Sequence, residues 1–157
     1  MSRLLFSCCL LLLGFSASGQ EHFYDFIVRG QGSSPRVHFA NNEYVLFTAN
    51  TPKTGAALYV TDGTKKGTQI LREFEGSNPG FKHFTEFAGK TFFIAYTTKG
   101  TQIWHTDGTA KGTEMYFQSS AINGNREIDL LPFNDWLFYQ NQISEDSFYV
   151  MRVDTTL

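Results

Sequence analysis

Two short stretches gather carboxylate and hydroxyl oxygens at a fixed spacing. Thr61 to Thr68 reads TDGTKKGT, and Thr106 to Thr113 reads TDGTAKGT. Such oxygens could hold a hard cation. Calcium, however, takes about six to eight oxygens, usually several of them carboxylates. Each copy offers one Asp, and its neighbours are lysines. The residue order fits a turn better. An Asp side chain accepts hydrogen bonds from the amides just ahead of it, the Gly tolerates φ > 0, and the Thr favours a return to extended backbone. Asp62, Gly63, Thr64 and Gly67, and likewise Asp107, Gly108, Thr109 and Gly112, are therefore read as a structural turn motif, with calcium as the alternative. The Gly-Thr-Lys-Lys-Gly-Thr order lacks the Gly-Lys-Ser/Thr ending of a phosphate-binding loop.

Histidine supplies the next candidates. His38 and His83 fall at equivalent places in successive copies, with Asp129 at the same place in a third, fainter one. Side chains repeated in this way could ring a common axis and bind a ligand or a zinc ion. The plainer reading is that equivalent positions fill equivalent, half-exposed environments. His22 and His105 lie outside this set. The carboxylate pairs Glu73/Glu75 and Glu145/Asp146 could serve a glycosidase, but they read more simply as solvated strand or loop positions. No serine sits in a recognisable nucleophile motif. Tyr59, Trp104 and Tyr149 recur at one register, either as packing between repeats or as a row on which sugars stack.

These residues need elements to hold them, and the periodicity supplies a plan. Both copies of the turn lie between strand-like runs. Leu58-Tyr59-Val60-Thr61 precedes the first, and Ile103-Trp104-His105-Thr106 precedes the second. Each is expected to be a β-hairpin. The full second unit reads as four strands, Phe81 to Phe87, Thr91 to Tyr96, Thr101 to Thr106 and Thr113 to Phe117. The first unit follows the same order, with Val45 to Ala49 as its second strand. A third begins with Ile128 to Phe133, continues with Trp136 to Gln140 and Phe148-Tyr149-Val150, and places Arg152 where Asp62 and Asp107 stand. Four strands in about 45 residues is the arithmetic of a β-propeller blade. One such unit cannot bury both faces alone, so neighbours must stack.

The expected organisation is then an all-β chain of propeller-like, four-stranded repeats forming an incomplete ring. Residues 1–19 read as a signal peptide, with Arg3 ahead of an apolar run too short to span a membrane. Residues 20–36 read as the closing strand of a preceding unit, centred on Phe26 to Arg29. Residues 37–80 form unit 1, 81–124 unit 2, and 125–157 a degenerate, truncated unit 3. The chain has 157 residues, 16% of them aromatic, and a formal net charge of −2, so nothing suggests a nucleic-acid partner. Both cysteines, Cys8 and Cys9, fall in the signal-like segment. The remainder must be held by its core alone and has no thiolate for catalysis or zinc.

At Leu58 to Thr64 with Gly67-Thr68, and at Ile103 to Thr109 with Gly112-Thr113, the chain resembles the ELWxxDGT repeat family. Ala57 and Gln102 stand at the family's leading Glu, and the third copy lacks the Asp-Gly-Thr. The resemblance implies a propeller-like architecture in a secreted or cell-surface bacterial protein, and it carries no catalytic residues. The expected function is that of a secreted, non-catalytic scaffold or binding module for an extracellular protein or glycan. No cofactor and no membrane span after signal cleavage are expected, and further repeats or self-association would close the ring. The alternative is a propeller enzyme acting on extracellular glycan or peptide, with its site at the channel mouth or in missing blades.

Overall fold

The computed structural model describes residues 32–51, 55–75, 79–119, 129–144 and 147–153. The signal-like segment, the strand expected at 26–29, His22 and the Glu145/Asp146 pair lie outside them. The described residues form eleven strands and no helix. The first sheet contains β1 (Arg36–Ala40), β2 (Val45–Thr51), β3 (Gly55–Thr61) and β4 (Gln69–Glu73). The second contains β5 (Gly80–Phe87), β6 (Lys90–Thr97), β7 (Gly100–Thr106) and β8 (Glu114–Gln118). The third contains β9 (Leu130–Phe133), β10 (Trp136–Ser144) and β11 (Ser147–Val153). Each sheet is an antiparallel meander in chain order. Among the described residues the three sheets do not close into a ring.

Local chemistry explains the hairpins. Phe87 pairs with Lys90, leaving Ala88 and Gly89 as a two-residue turn with φ of 51° and 73°. Positive φ at both positions matches the twist of the flanking strands. In the first sheet the corresponding turn is longer. There Asn41 Oδ1 accepts hydrogen bonds from the amides of Glu43 and Tyr44, both at 2.9 Å.

The sheets stack through alternate side chains. Leu46, Leu58, Val60 and Phe74 of the first unit pack against Phe81, Phe93, Ala95 and Trp104 of the second. Phe74 meets Trp104 edge-on at 5.1 Å and Phe81 edge-on at 4.9 Å, a favoured aromatic geometry. The other face of the second sheet presents Phe87, Phe92, Ile94 and Ile103 to Leu130, Leu137, Tyr139 and Val153 of the third. The opposite face of the first sheet, Phe47, Ala49, Ala57 and Tyr59, is also buried. Between sheets, β1 lies beside β5 and β5 beside β9, so the first strands of successive units are neighbours.

Strand pairing corrects two equivalences expected from a constant period. Val45 faces Thr61 and Thr91 faces Thr106, so Val45 corresponds to Thr91. Arg36 then corresponds to Lys82, since they oppose Thr48 and Ile94. His38 therefore stands where Phe84 stands, and the equivalent of His83 is Val37. The physical cause is loop length: residues 52–54 separate β2 from β3, whereas only Thr98 and Lys99 separate β6 from β7. The second correction concerns Arg152. It opposes Phe138, as His105 opposes Phe92, so it is a strand residue and not the turn Asp. The displacement is two residues: one already separates Phe87 from Phe133, and an irregularity in β10 between Gln142 and Ser144 adds the other. The turn position falls in sequence on Asp154, with Thr155 and Thr156 following, outside the described residues.

Candidate functional site

In the two turns every motif residue has a bond to make. In the first, the Thr64 amide and hydroxyl both donate to Asp62 Oδ1 at 2.8 Å. The Gly67 amide donates to Thr64 Oγ1 at 3.0 Å, and the Gly63 amide to Thr61 Oγ1 at 3.1 Å. Thr68 donates its hydroxyl to the Thr64 carbonyl at 2.7 Å. Its contact with Thr61 Oγ1 at 2.8 Å must then be donated by Thr61. The second turn repeats the pattern at 2.6 to 3.1 Å among Thr106, Asp107, Gly108, Thr109, Gly112 and Thr113. A Cβ on Gly67 or Gly112 would fall on the Asp62 or Asp107 carboxylate, which explains the second glycine of each copy.

The hydroxyl and amide of Thr64 hold the Asp62 carboxyl below its ordinary pKa, and the Thr109 hydroxyl does the same for Asp107. Asp62 Oδ1 and Asp107 Oδ1 thus each accept two bonds within their own turn. No three His, Cys, Asp or Glu side chains gather as a ligand set among the described residues.

The candidate axial residues are only partly brought together. His83 Nδ1 lies 3.1 Å from Asp129 Oδ1, so this pair links the first strands of the second and third sheets. His83 sits in an irregular stretch of β5 with φ of 55°. His38 is elsewhere engaged: its Nε2 is 2.8 Å from Thr48 Oγ1, and its ring stacks on Phe84 at 4.9 Å. Burial, and then the Arg36 charge, lower its pKa to about 4. His105 is buried against Phe92, with its pKa lowered by burial first and by Lys90 second. The aromatic row divides: Tyr59 and Trp104 are buried packing residues, while Tyr149 is exposed.

Among the described residues a cleft of about 550 Å³ lies between the first two sheets. Residues Arg72 to Glu75, leading out of β4, form one wall, and β7 and β8 supply the other. At its base the indole of Trp104 donates to Gln102 Oε1 at 3.0 Å. The Gln102 amide donates to Gln118 Oε1 at 3.0 Å, and the Gln118 amide donates to the Lys99 carbonyl at 3.3 Å. Arg72 lies over the Trp104 ring at 5.1 Å, a cation–π distance. At the rim Lys99 Nζ reaches Glu75 Oε2 at 3.1 Å, both side chains exposed.

The relay fixes both glutamine side chains through the bonds that each makes. Gln102 suits this place because an amide both accepts from Trp104 and donates to Gln118. A Glu there could accept but not donate. Neither the cleft nor its relay is visible in the motif, since Arg72, Gln102 and Gln118 come from different strands. No protein-family model, curated protein or solved structure matches the chain. Among the described residues no helix is long and apolar enough to cross a membrane.

Proposed function

We propose that the chain is a non-catalytic, propeller-like β-repeat module of the ELWxxDGT type, exported to the cell exterior, that binds an extracellular protein or glycan segment. The cleft between the first two sheets is the proposed binding site. The observation that carries this reading is the amide relay from Trp104 through Gln102 and Gln118 to the Lys99 carbonyl. It presents oriented donors and acceptors on a rigid base, beside charges of both signs. That arrangement suits a polar, extended ligand held by several moderate bonds. Two of the threonines at the cleft are engaged internally: Thr97 donates to the Gly100 carbonyl and Thr113 to the Thr109 carbonyl. Neither is paired with a base as a nucleophile would be.

The test is to screen the full chain against arrays of oligosaccharides and peptides and to measure the affinity of any ligand found. Arg72→Ala and Gln118→Ala should each weaken binding about tenfold or more while leaving the far-UV spectrum unchanged. A ligand indifferent to both substitutions would place binding elsewhere. Turnover of a bound glycan or peptide would make the chain an enzyme and end the scaffold reading.

A further inference from the structure

The cleft between the first two sheets is bordered by charges of both signs, but these are not equivalent. Directly opposed residues of an antiparallel pair share a face. Arg72 opposes Leu58 and Met115 opposes Trp104. Leu58 and Trp104 belong to the core between the two sheets, so Arg72 and Met115 stand on the cleft side. Glu73 opposes Ala57, on the outer face of the first sheet. Glu114 opposes His105, which packs on Phe92 toward the third sheet. Both carboxylates therefore stand on the far faces of their sheets. The third, Glu75, is 3.1 Å from Lys99 Nζ at the rim. Among the described residues, Arg72 is left as the charge that faces the cleft without a counter-charge. Its guanidinium is also held in place. It lies 5.1 Å over the Trp104 ring, and that ring is fixed by its bond to Gln102. A stacked, weakly hydrated guanidinium keeps its planar fork of donors and meets a carboxylate through two parallel bonds.

We propose that the cleft takes an acidic peptide segment, one carboxylate of which pairs with Arg72 while a neighbouring apolar side chain packs on Met115. The proposal rests on the cleft being the binding site and adds the chemistry of its ligand. The aromatic rings favour a peptide over a glycan. Phe74 is 3% exposed and Trp104 6%, and Arg72 already covers the indole, so neither offers a face on which a sugar could lie. Met115 is 46% exposed at the same cleft. Its unbranched, polarisable side chain adapts to apolar partners of varied shape, as peptide side chains require. An Asp or Glu side chain and a free C-terminus present the same pair of oxygens, so the chemistry is shared and the experiment separates the two sources.

The experiment measures binding of the full chain to octapeptides in matched sets. Asp or Glu is set against Asn or Gln at each position, and a free C-terminus against its amide, with oligogalacturonate as the acidic glycan control. The native chain should bind acidic peptides at least about tenfold more tightly than their amide counterparts. Sensitivity to the terminal amide alone would name the C-terminus as the source, and sensitivity to a side-chain amide would name Asp or Glu. Arg72→Gln should erase the preference and Arg72→Lys should keep part of it, with secondary structure unchanged because Arg72 is exposed. Gln118→Ala should weaken acidic and amide peptides alike. Peptides bound equally as acid and amide, yet weakened by Gln118→Ala, would overturn the acidic ligand and leave the cleft as the site. Capture of oligogalacturonate and of no peptide would do the same. Peptide binding indifferent to both Arg72→Gln and Gln118→Ala would end the cleft reading and this proposal with it. Absence of binding to any acidic peptide at roughly 1 mM would also overturn the proposal.

Discussion

The clearest test of the turn architecture is a pair of substitutions, Gly112→Ala and Asp107→Ala, made singly and together. Gly112 is absent from the positive-φ glycines, so an alanine there meets no backbone penalty. Its Cβ does meet the Asp107 carboxylate. The carboxylate must swing out, and both bonds donated to its Oδ1 by Thr109 are lost. Bonds to an ionised oxygen, discounted for exposure, put the cost of Gly112→Ala at about 1.5–3 kcal/mol. Asp107→Ala alone should cost about 1–2 kcal/mol. Once the carboxylate is gone the alanine has nothing to displace. It should then be neutral, or stabilise by a few tenths of a kcal/mol (on the order of 0.5) through lost chain entropy in the unfolded state. The expected coupling is about 1.5–3.5 kcal/mol, well above the additivity error for independent sites. Urea titration followed by the fluorescence of Trp104 and Trp136 would measure it, and the Gly112→Ala midpoint should fall by about 4–8 °C in a melt. Equal cost of Gly112→Ala in both backgrounds would refute the reasoning, because the penalty would then not come from the carboxylate.

Other outcomes follow from the same geometry. Gly63→Ala and Gly108→Ala both force alanine into positive φ, at 87° and 85°, but only at Gly108 does the Cβ also meet the Tyr44 ring, at 2.9 Å. Gly108→Ala should therefore cost about 1 kcal/mol more, a difference that Tyr44→Ala removes. Trp104→Ala empties the core between the first two sheets and should cost about 3–5 kcal/mol by denaturant titration. The depressed pKa of His38, about 4 against an ordinary 6.5, means that the unfolded chain binds more protons than the folded one between those values. Stability should fall as pH drops through that window, by about 1–2 kcal/mol after allowing for partial exposure. His38→Gln should flatten the profile there, and an unchanged slope would assign it to other groups. Below pH 3.8 a further loss should appear as Asp62 and Asp107, held ionised by Thr64 and Thr109, take up protons. Asp107→Asn should reduce that acid limb.

The strands and turns were legible in the sequence because their residues carry local instructions. The second unit expected at Phe81 to Phe117 is observed with strand ends displaced by only about a residue. Asp107, Gly108, Thr109 and Gly112 announce their turn because each serves a contact inside eight residues of chain. What could not be read is what depends on distant strands. The Trp104–Gln102–Gln118 relay joins β7 to β8 and touches the Lys99 carbonyl. No local pattern marks it, because glutamine at those positions is also an ordinary solvated residue. The His83–Asp129 contact was accessible from periodicity alone. His38 was drawn into the same set only because the repeat was assumed rigid.

That assumption fails for a physical reason. A hairpin loop can gain a residue at little cost, since closure entropy changes slowly with length and the loop buries nothing. A strand cannot, because a shift of one residue turns every side chain to the opposite face. Drift between repeats therefore collects in loops and bulges, at residues 52–54 and in β10 near Gln142, while each strand keeps its inward and outward sets. Positions should accordingly be compared by strand partner and not by residue count. Compared in that way, Val37, His83 and Asp129 share one place at the first strands, and the chemistry at that place changes from an apolar side chain to a polar His83–Asp129 contact along the stack. The third sheet follows the same rule: Phe138 and Val150 stand at places that both of the first two sheets bury, and Phe133 at one that the second buries.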